Sequence, residues 1–294
     1  MNELMNNELK NVLKQNVLDK LEKNENIDRV EISNYLNTHI YQKAVLGFDI
    51  YRYSKYPQLE QALIPPLFKS LYETTIDNCI TLEKFFFKDL NVSDFKNKFI
   101  DTGDGGFQIF DNPFQALIFA FYFQAGIVRY NSGHIASKDI FSIVGEINLR
   151  YSLTYDKIFF YNKNYYGPAI INCARIMSRD KLNRFLIDNN VFSWFNKEFN
   201  SIENLQVIEP KEDFKYINFL KNDFNEENYS SLIFNLEKKT ILNVNVLKIG
   251  EIISKSDIIS IHSLHIQIRL TSDGKDLRKY TITIGNMNST GLNE

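Results

Sequence analysis

A glycine-rich turn between two short apolar runs is the strongest local constraint on how this chain can fold. The turn at residues 102–106 reads TGDGG; FI at residues 99–100 precedes it, and FQIF at residues 107–110 follows it. An Asp-Gly pair between such runs predicts a β-hairpin with Asp104 at its tip. A second acid, Asp49, stands where another apolar run ends.

These two acids are the candidate centre of a functional site. If the hairpin lies beside the strand that ends at Asp49, the carboxylates of Asp49 and Asp104 come close together. Two such carboxylates are costly unless a cation neutralises them, and hard oxygen ligands suit Mg²⁺ or Mn²⁺. The pattern therefore favours a two-metal site for phosphoryl transfer. The residues alone leave a second interpretation open, in which Asp104 is a turn residue and Asp49 an acid at a strand end.

The composition is that of a globular protein with little net charge. Hydrophobic residues make up 44% of the 294 residues and aromatic residues 14%, which allows a substantial core. The net charge of −2 gives no electrostatic basis for binding nucleic acid. The two cysteines, Cys79 and Cys173, have no CxxC spacing and are expected to be buried thiols.

No targeting or membrane segment is expected. The start of the chain, MNE at residues 1–3, is polar and lacks the apolar stretch of a signal peptide. The most hydrophobic run, residues 116–123, is far shorter than the roughly 20 residues that span a bilayer. We therefore expect a cytoplasmic protein without a membrane span.

The N-terminal segment, residues 1–40, is predicted to be helical. Residues 3–24 form an amphipathic pattern with Leu9, Leu13 and Val17 on one stripe. This helix would pack on its own domain or form a dimer. A short second helix is expected near residues 28–43, leading into the strand that ends at the first acid.

Residues 41–208 combine helical and strand patterns. Helices are expected over residues 58–90, with an interruption at Pro65 and Pro66, over residues 114–128, and from Asn189 onwards. Strands are expected over residues 143–154, 157–161 and 183–188. Such an order predicts an α/β (α+β) sandwich with one mixed or antiparallel sheet.

Residues 209–294 are predicted to be a small β-rich module outside that domain. A polar, proline-bearing link at residues 209–213 leads to a short helix over residues 214–220. A strand-rich region follows, with a hairpin loop at residues 272–275. The module would either cover one face of the domain or act as a regulatory or sensor unit.

Four short motifs follow one another along the chain. They are DIYRYS at residues 49–54, GDG at residues 103–105, DNP before an apolar helix at residues 111–113, and GPAIINCAR at residues 167–175. This order resembles the catalytic domain of class III nucleotidyl cyclases, over roughly residues 40–200. The resemblance implies a ferredoxin-like βαββαβ core.

The resemblance also implies a reaction and its metal ligands. Asp49, Asp104 and the carbonyl of Ile50 would bind two Mg²⁺ or Mn²⁺ ions per site. The ribose 3′-hydroxyl of a nucleoside triphosphate would attack the α-phosphate and release pyrophosphate. One ion would lower the pKa of that hydroxyl, and the second would hold the triphosphate.

In the same family, the site lies at the interface of a homodimer, and further residues come from the second chain. Arg175, eight residues after Gly167, matches the arginine that stabilises charge on the transferred phosphate. The family's asparagine falls at Ile171 by spacing, with Asn172 next to it, so Asn172 takes that role only if the helix start is shifted by one residue.

The chain departs from the family pattern at positions that recognise the base of the nucleotide. Adenylate cyclases read adenine with a lysine and an acid or threonine at the positions of Ile100 and Asn164. Tyr53 replaces a phenylalanine, and Arg52 replaces a glycine. This set resembles the bacterial anti-phage pyrimidine cyclases of the Pycsar type, which make cyclic UMP or cyclic CMP as second messengers for a cyclic-nucleotide-responsive effector.

The favoured activity is therefore a uridylate cyclase, ahead of a cytidylate cyclase. Asn164 offers both a donor and an acceptor, so the sequence does not choose between uracil and cytosine. Two alternatives stay open: an adenylate or guanylate cyclase, and a catalytically degenerate module that binds a nucleotide and signals.

Overall fold

The computed structural model describes most of the chain between residues 40 and 198 and the C-terminal strands. The described residues are 20, 23, 30, 40–88, 90–133, 138–161, 164–198, 241–254, 257–271, 279–286, 288 and 290–292. The helix predicted over residues 3–24, the link at 209–213 and the short helix over 214–220 lie outside the described residues, apart from Lys20 and Lys23.

The described residues form nine strands and seven helices. The strands are β1 Ile40–Ile50, β2 Phe99–Asp101, β3 Gly105–Phe110, β4 Leu149–Tyr161, β5 Asn164–Tyr166, β6 Phe185–Asp188, β7 Ile241–Ser254, β8 Asp257–Thr271 and β9 Lys279–Ile284. The helices are α1 Gln58–Leu82, α2 Lys84–Phe87, α3 Val92–Asn97, α4 Pro113–Asn131, α5 Lys138–Val144, α6 Pro168–Arg179 and α7 Asn189–Glu198.

All strands belong to one mixed sheet. Its order is β2-β3-β1-β4-β6-β8-β7, with β5 paired to β4 and β9 paired to β8. The first four strands are antiparallel neighbours in the spatial order β2-β3-β1-β4, and α1 and α4 connect them. This is the ferredoxin-like βαββαβ arrangement, so the predicted α+β fold and the predicted hairpin are confirmed.

One face of β1 forms the main core with α1 and α4. Leu46 and Phe48 are fully buried on this face. The ring of Phe48 lies 5.7 Å from that of Phe68 in α1 and 5.1 Å from that of Phe123 in α4, measured between centroids. Since side chains alternate along a strand, Asp49 points to the other face.

That other face is covered by α6. A Cβ atom at Gly47 would lie 2.4 Å from the Met177 sulfur and 2.9 Å from the Cys173 sulfur. The glycine therefore lets α6 approach β1 closely. Both cysteines, Cys79 and Cys173, are buried thiols as predicted.

Helix α1 runs through Pro65 and Pro66, where the sequence predicted an interruption. A proline donates no backbone hydrogen bond, so the carbonyls of Gln61 and Ala62 lose their usual partners. The helix persists because its apolar side is buried in the core on both sides of the prolines, as Ile64 and Leu67 are. It ends at Leu82 rather than continuing to residue 90.

The pairing of β1 with β4 corrects two predicted boundaries. Strand β1 begins at Ile40, inside the helix predicted near residues 28–43, because Ile40 pairs with Phe159 at the far end of the ladder. Strand β4 is continuous over the two strands predicted around residues 143–161. Residues 143 and 144, where the first of these strands was predicted to begin, belong instead to helix α5, after which Gly145 adopts a φ of 70°.

The C-terminal strands extend the central sheet. Strand β8 pairs with β6, from Phe185 opposite Leu264 to Asp188 opposite Ile261. The β-rich part of the expected module therefore continues the same sheet rather than standing outside it. A regulatory role for this region stays a prediction. Among the helices of the described residues, none has the length and apolarity that a membrane crossing requires.

Candidate active site

The end of β1 and the tip of the β2–β3 hairpin meet through backbone pairing. Asp49 lies opposite Gly105 of β3 on one side and Arg150 of β4 on the other. The next residue, Ile50, donates its N–H to the carbonyl of Asp104 at 3.0 Å. The sheet itself thus holds the two predicted metal-binding acids at one end of β1.

Gly105 makes this close approach possible. A Cβ atom there would lie 2.2 Å from the carbonyl oxygen of Phe48 and 2.5 Å from the Cα of Asp49, both backbone atoms. Only glycine fits without moving the hairpin away from β1.

We expect Gly105→Ala to lower the free energy of unfolding by about 1–3 kcal/mol because it overpacks this contact. Urea denaturation followed by circular dichroism measures the change. Gly126→Ala in α4 is the matched control, since its Cβ would make an ordinary 3.4 Å contact with Leu71. Equal denaturation midpoints for wild type and Gly105→Ala would show that the contact is not tight.

Arg150 holds the carboxylate of Asp49. Its Nε and Nη2 donate to the two carboxylate oxygens, each at 2.7 Å. Its Nη1 donates to the carbonyls of Met177, at 3.0 Å, and Asp180, at 2.9 Å. Because four hydrogen bonds fix the planar guanidinium, the orientation of Asp49 is fixed with it.

Sequence reasoning did not identify Arg150 as a site residue. Arg150 lies within the strand predicted over residues 143–154. The signal that could have found it is the register of β1 against β4, which places Arg150 directly opposite Asp49. That register joins segments about a hundred residues apart and is not visible in local sequence.

Asp104 is in an environment that resists its ionisation. Burial, followed by the negative charge of Asp49, raises the pKa of the Asp104 carboxyl above its usual value. The charge of Asp49 is therefore felt at Asp104.

The donor atoms fit a hard divalent cation. A carboxylate offers about four lone-pair positions, and Arg150 uses one at each oxygen of Asp49, so others remain for a metal. Asp104 and the carbonyl of Ile50 would complete the protein's share. No group of three or more His, Cys, Asp or Glu among the described residues is arranged for a metal. An ion here would therefore also depend on substrate oxygens, as Mg²⁺ commonly does.

A cleft of about 430 Å³ opens beside these acids. It lies between the end of β1 and the loop after α6. Its lining residues are Ile50, Tyr51, Arg52, Tyr53, Ser54, Lys55, Asp104, Arg150, Ser178, Asp180 and Lys181. Four of them are basic, so the cleft combines positive charge with Asp104, the carboxylate predicted to bind a metal, and this combination would suit a metal-bound polyphosphate.

Tyr53, a predicted nucleotide-binding residue, lines this cleft in a 3₁₀ turn. Its hydroxyl donates to the carbonyl of Gln61 at 2.8 Å. That carbonyl would normally accept from residue 65, but Pro65 has no N–H. Because Pro65 leaves the carbonyl of Gln61 without its helical donor, that carbonyl is available to accept from Tyr53 and fix its side chain.

The other predicted catalytic residues lie on α6, away from the cleft of their own chain. Arg175 Nη1 is 3.4 Å from the Oδ1 of Asn172, its hydrogen-bond acceptor. Ile171 is half exposed and offers no polar group. Of the two candidates for the asparagine role, Asn172 is the residue that contacts Arg175. Neither Asn172 nor Arg175 is among the described residues that line the cleft with Asp104.

The two predicted base-reading residues also lie outside the cleft. Ile100 sits on β2 opposite Phe107 and packs against the apolar residues beneath α6. Asn164 is exposed at the start of β5, and its Oδ1 accepts from the N–H of Tyr165 at 2.8 Å. The structure therefore brings Asp49, Ile50, Tyr53 and Asp104 together and leaves the remaining predicted residues on other surfaces of the chain.

Comparison with known proteins finds distant structural likeness. No protein-family model and no curated protein matches the sequence. An adenylate/guanylate cyclase/hydrolase from Silicibacter pomeroyi is 13% identical, with a TM-score of 0.43 over 76% of this chain and 96% of that chain. The guanylate cyclase domain of RhGC from Catenaria anguillulae, in complex with GTP, is 11% identical, with a TM-score of 0.43 over 76% of this chain and 97% of that chain.

The adenylyl cyclase CyaB from P. aeruginosa is also 11% identical, with a TM-score of 0.38 over 81% of this chain and 99% of that chain. Because these likenesses are distant, the function is inferred from the residues of the site.

Proposed function

We propose that the protein is a nucleotidyl cyclase that converts a nucleoside triphosphate to its 3′,5′-cyclic monophosphate and pyrophosphate. The observation that carries the proposal is the meeting of Asp49 and Asp104 beside a cleft lined by basic side chains. The 3′-oxygen forms a bond to the α-phosphorus, and the bond from the α-phosphorus to the oxygen that bridges it to the β-phosphate breaks. That oxygen leaves as part of pyrophosphate, and the hydroxyl proton passes to solvent.

The chain's own residues have distinct parts in this reaction. Asp49 and Asp104, with the carbonyl of Ile50, would hold Mg²⁺ or Mn²⁺, which when bound supplies charge neutralisation at the reacting oxygens. Arg150 keeps Asp49 in position through its paired hydrogen bonds. The basic residues of the cleft would bind the triphosphate.

The proposal includes a homodimer. Arg175 and Asn172 lie outside the cleft of their own chain, so a complete site requires them from a second chain. In that arrangement Arg175 would neutralise charge on the transferred phosphate. Each homodimer would contain two shared sites.

Turnover of the four common nucleoside triphosphates with Mn²⁺ tests the activity. Pyrophosphate release, together with a cyclic product identified by mass, is the expected result. Tight binding of a triphosphate without any pyrophosphate release would indicate the alternative, a nucleotide-binding signalling module that does not catalyse.

The preferred base is proposed to be a pyrimidine, with uracil ahead of cytosine. The support is Ile100 and Asn164 in place of a charged pair, together with the resemblance to anti-phage pyrimidine cyclases. In such a system the cyclic nucleotide would act on a cyclic-nucleotide-responsive effector. The same resemblance supports a role in anti-phage defence.

We expect UTP to be used at least about a hundredfold better than ATP or GTP, because a purine finds no charged partners here. Competition among the four triphosphates at equal concentration, with products separated by mass spectrometry, measures the preference. A dominant cyclic AMP or cyclic GMP product would overturn the pyrimidine assignment and leave an adenylate or guanylate cyclase.

A further inference from the structure

Arg52 occupies a backbone conformation that disfavours arginine. Its φ of 61° and ψ of 30° lie in the left-handed region, where the Cβ of a non-glycine residue crowds the following carbonyl oxygen. Among the described residues, Asn183 is the other non-glycine residue with positive φ, and asparagine tolerates this region well. The cyclase family that this chain resembles has glycine at the position of Arg52. Arg52 therefore carries a backbone cost that glycine at this position would avoid.

The guanidinium of Arg52 lies over a fixed aromatic ring. Its central carbon is 4.8 Å from the centroid of the Tyr51 ring. The Tyr51 hydroxyl donates to the carbonyl of Lys181 at 2.7 Å, which ties the ring to the opposite side of the cleft. The cation–π contact thus holds an exposed arginine beside the cleft before any ligand arrives.

The charge of Arg52 is also unbalanced. Arg52, Lys55 and Lys181 all line the cleft, and none forms a salt bridge with another residue in the described part of the chain. Asp49 pairs with Arg150 and Asp180 pairs with Arg184, so of the acids in and beside the cleft only Asp104 has no salt bridge within the described part of the chain, and the three cations outnumber it. A cluster of unpaired cations in a cleft attracts a polyanion.

We propose that Arg52 binds the β- and γ-phosphates of the nucleoside triphosphate, a contact that glycine at this position could not make. This inference rests on the proposed function and adds a specific residue to it. A guanidinium suits the role because its planar donors match phosphate oxygens in pairs.

The test compares Arg52→Gly with the wild type by isothermal titration calorimetry. The probe is 3′-deoxy-UTP with Mg²⁺, which binds but lacks the attacking hydroxyl. We expect the dissociation constant to rise about ten- to a hundredfold, as for a lost charged hydrogen bond. The affinity for UMP, which lacks the β- and γ-phosphates, should change less than about threefold.

Stability separates a binding role from a structural one. Because glycine accepts positive φ, the urea midpoint of Arg52→Gly should equal or exceed that of the wild type. Arg52→Lys keeps the charge and should bind 3′-deoxy-UTP more tightly than Arg52→Gly does. Arg129→Ala removes an exposed arginine of α4 outside the cleft and should leave the affinity unchanged.

Each other outcome overturns the proposal. Unchanged affinity of Arg52→Gly would remove Arg52 from the phosphate site while leaving the cyclase assignment intact. Loss of both affinity and stability would make Arg52 a structural residue. Equal loss in Arg52→Lys and Arg52→Gly would contradict a role for its charge. Failure of the wild type to bind any triphosphate would instead refute the proposed function itself, and the role of Arg52 with it.

Discussion

Replacing Asp104 by Asn should abolish pyrophosphate release from UTP without unfolding the protein. The substitution keeps the shape of the side chain but removes one of two carboxylates that would hold the metal. Losing several kcal/mol of transition-state stabilisation lowers the rate about 10³-fold or more. It also removes the repulsion between Asp104 and Asp49, so the free energy of unfolding should not fall.

The measurements are pyrophosphate release with Mn²⁺ and urea denaturation. Asp101→Asn is the matched control in the same hairpin. Asp101 accepts a hydrogen bond from the N–H of Gly103 at 2.7 Å, and asparagine keeps that acceptor. Its activity should stay near that of the wild type. If Asp104→Asn retained about a tenth of the wild-type rate, Asp104 would not be a metal ligand.

The second large effect is recovery of activity in a mixture of two inactive variants. Asp104→Asn lacks a metal ligand and Arg175→Ala lacks the charge-stabilising arginine, so each homodimer should be inactive. In a 1:1 mixture about half of the dimers are mixed, and each mixed dimer has one intact site if sites are shared. Activity should therefore recover to about a quarter of the wild-type value.

Pyrophosphate release across a series of mixing ratios measures the recovery, and native mass spectrometry shows whether mixed dimers form. The control mixes Asp104→Asn with the double variant Asp104→Asn, Arg175→Ala. No combination of these chains contains Asp104, so activity should not return. Mixed dimers without recovery would show that each chain completes its own site. An active Arg175→Ala homodimer would show instead that Arg175 is not catalytic.

The sequence alone was sufficient where a feature depends on a few neighbouring residues. Turn chemistry and the flanking apolar runs predicted the hairpin that carries Asp104. The end of an apolar run predicted that Asp49 ends a strand, and the α+β class followed from the order of helical and strand patterns. For the hairpin and the strand end the information lies within about ten residues, because hydrophobic period and turn geometry are local properties.

The tertiary structure decided what depends on pairing between distant segments. Arg150 binds Asp49 across 101 positions because β1 and β4 share a register that no local pattern encodes. Helix α1 passes through Pro65 because core burial outweighs the lost hydrogen bond, and the carbonyl so released accepts from Tyr53.

The same distinction explains the C-terminal strands. Their sequence pattern predicted strands, but the sequence of a strand does not identify the strand with which it pairs. In the structure β8 pairs with β6 of the central sheet. The sequence by itself determined which residues form the hairpin and that Asp49 lies near the end of β1. Only the tertiary structure decided which side chains meet, because contacts between distant segments depend on the packing of the whole chain.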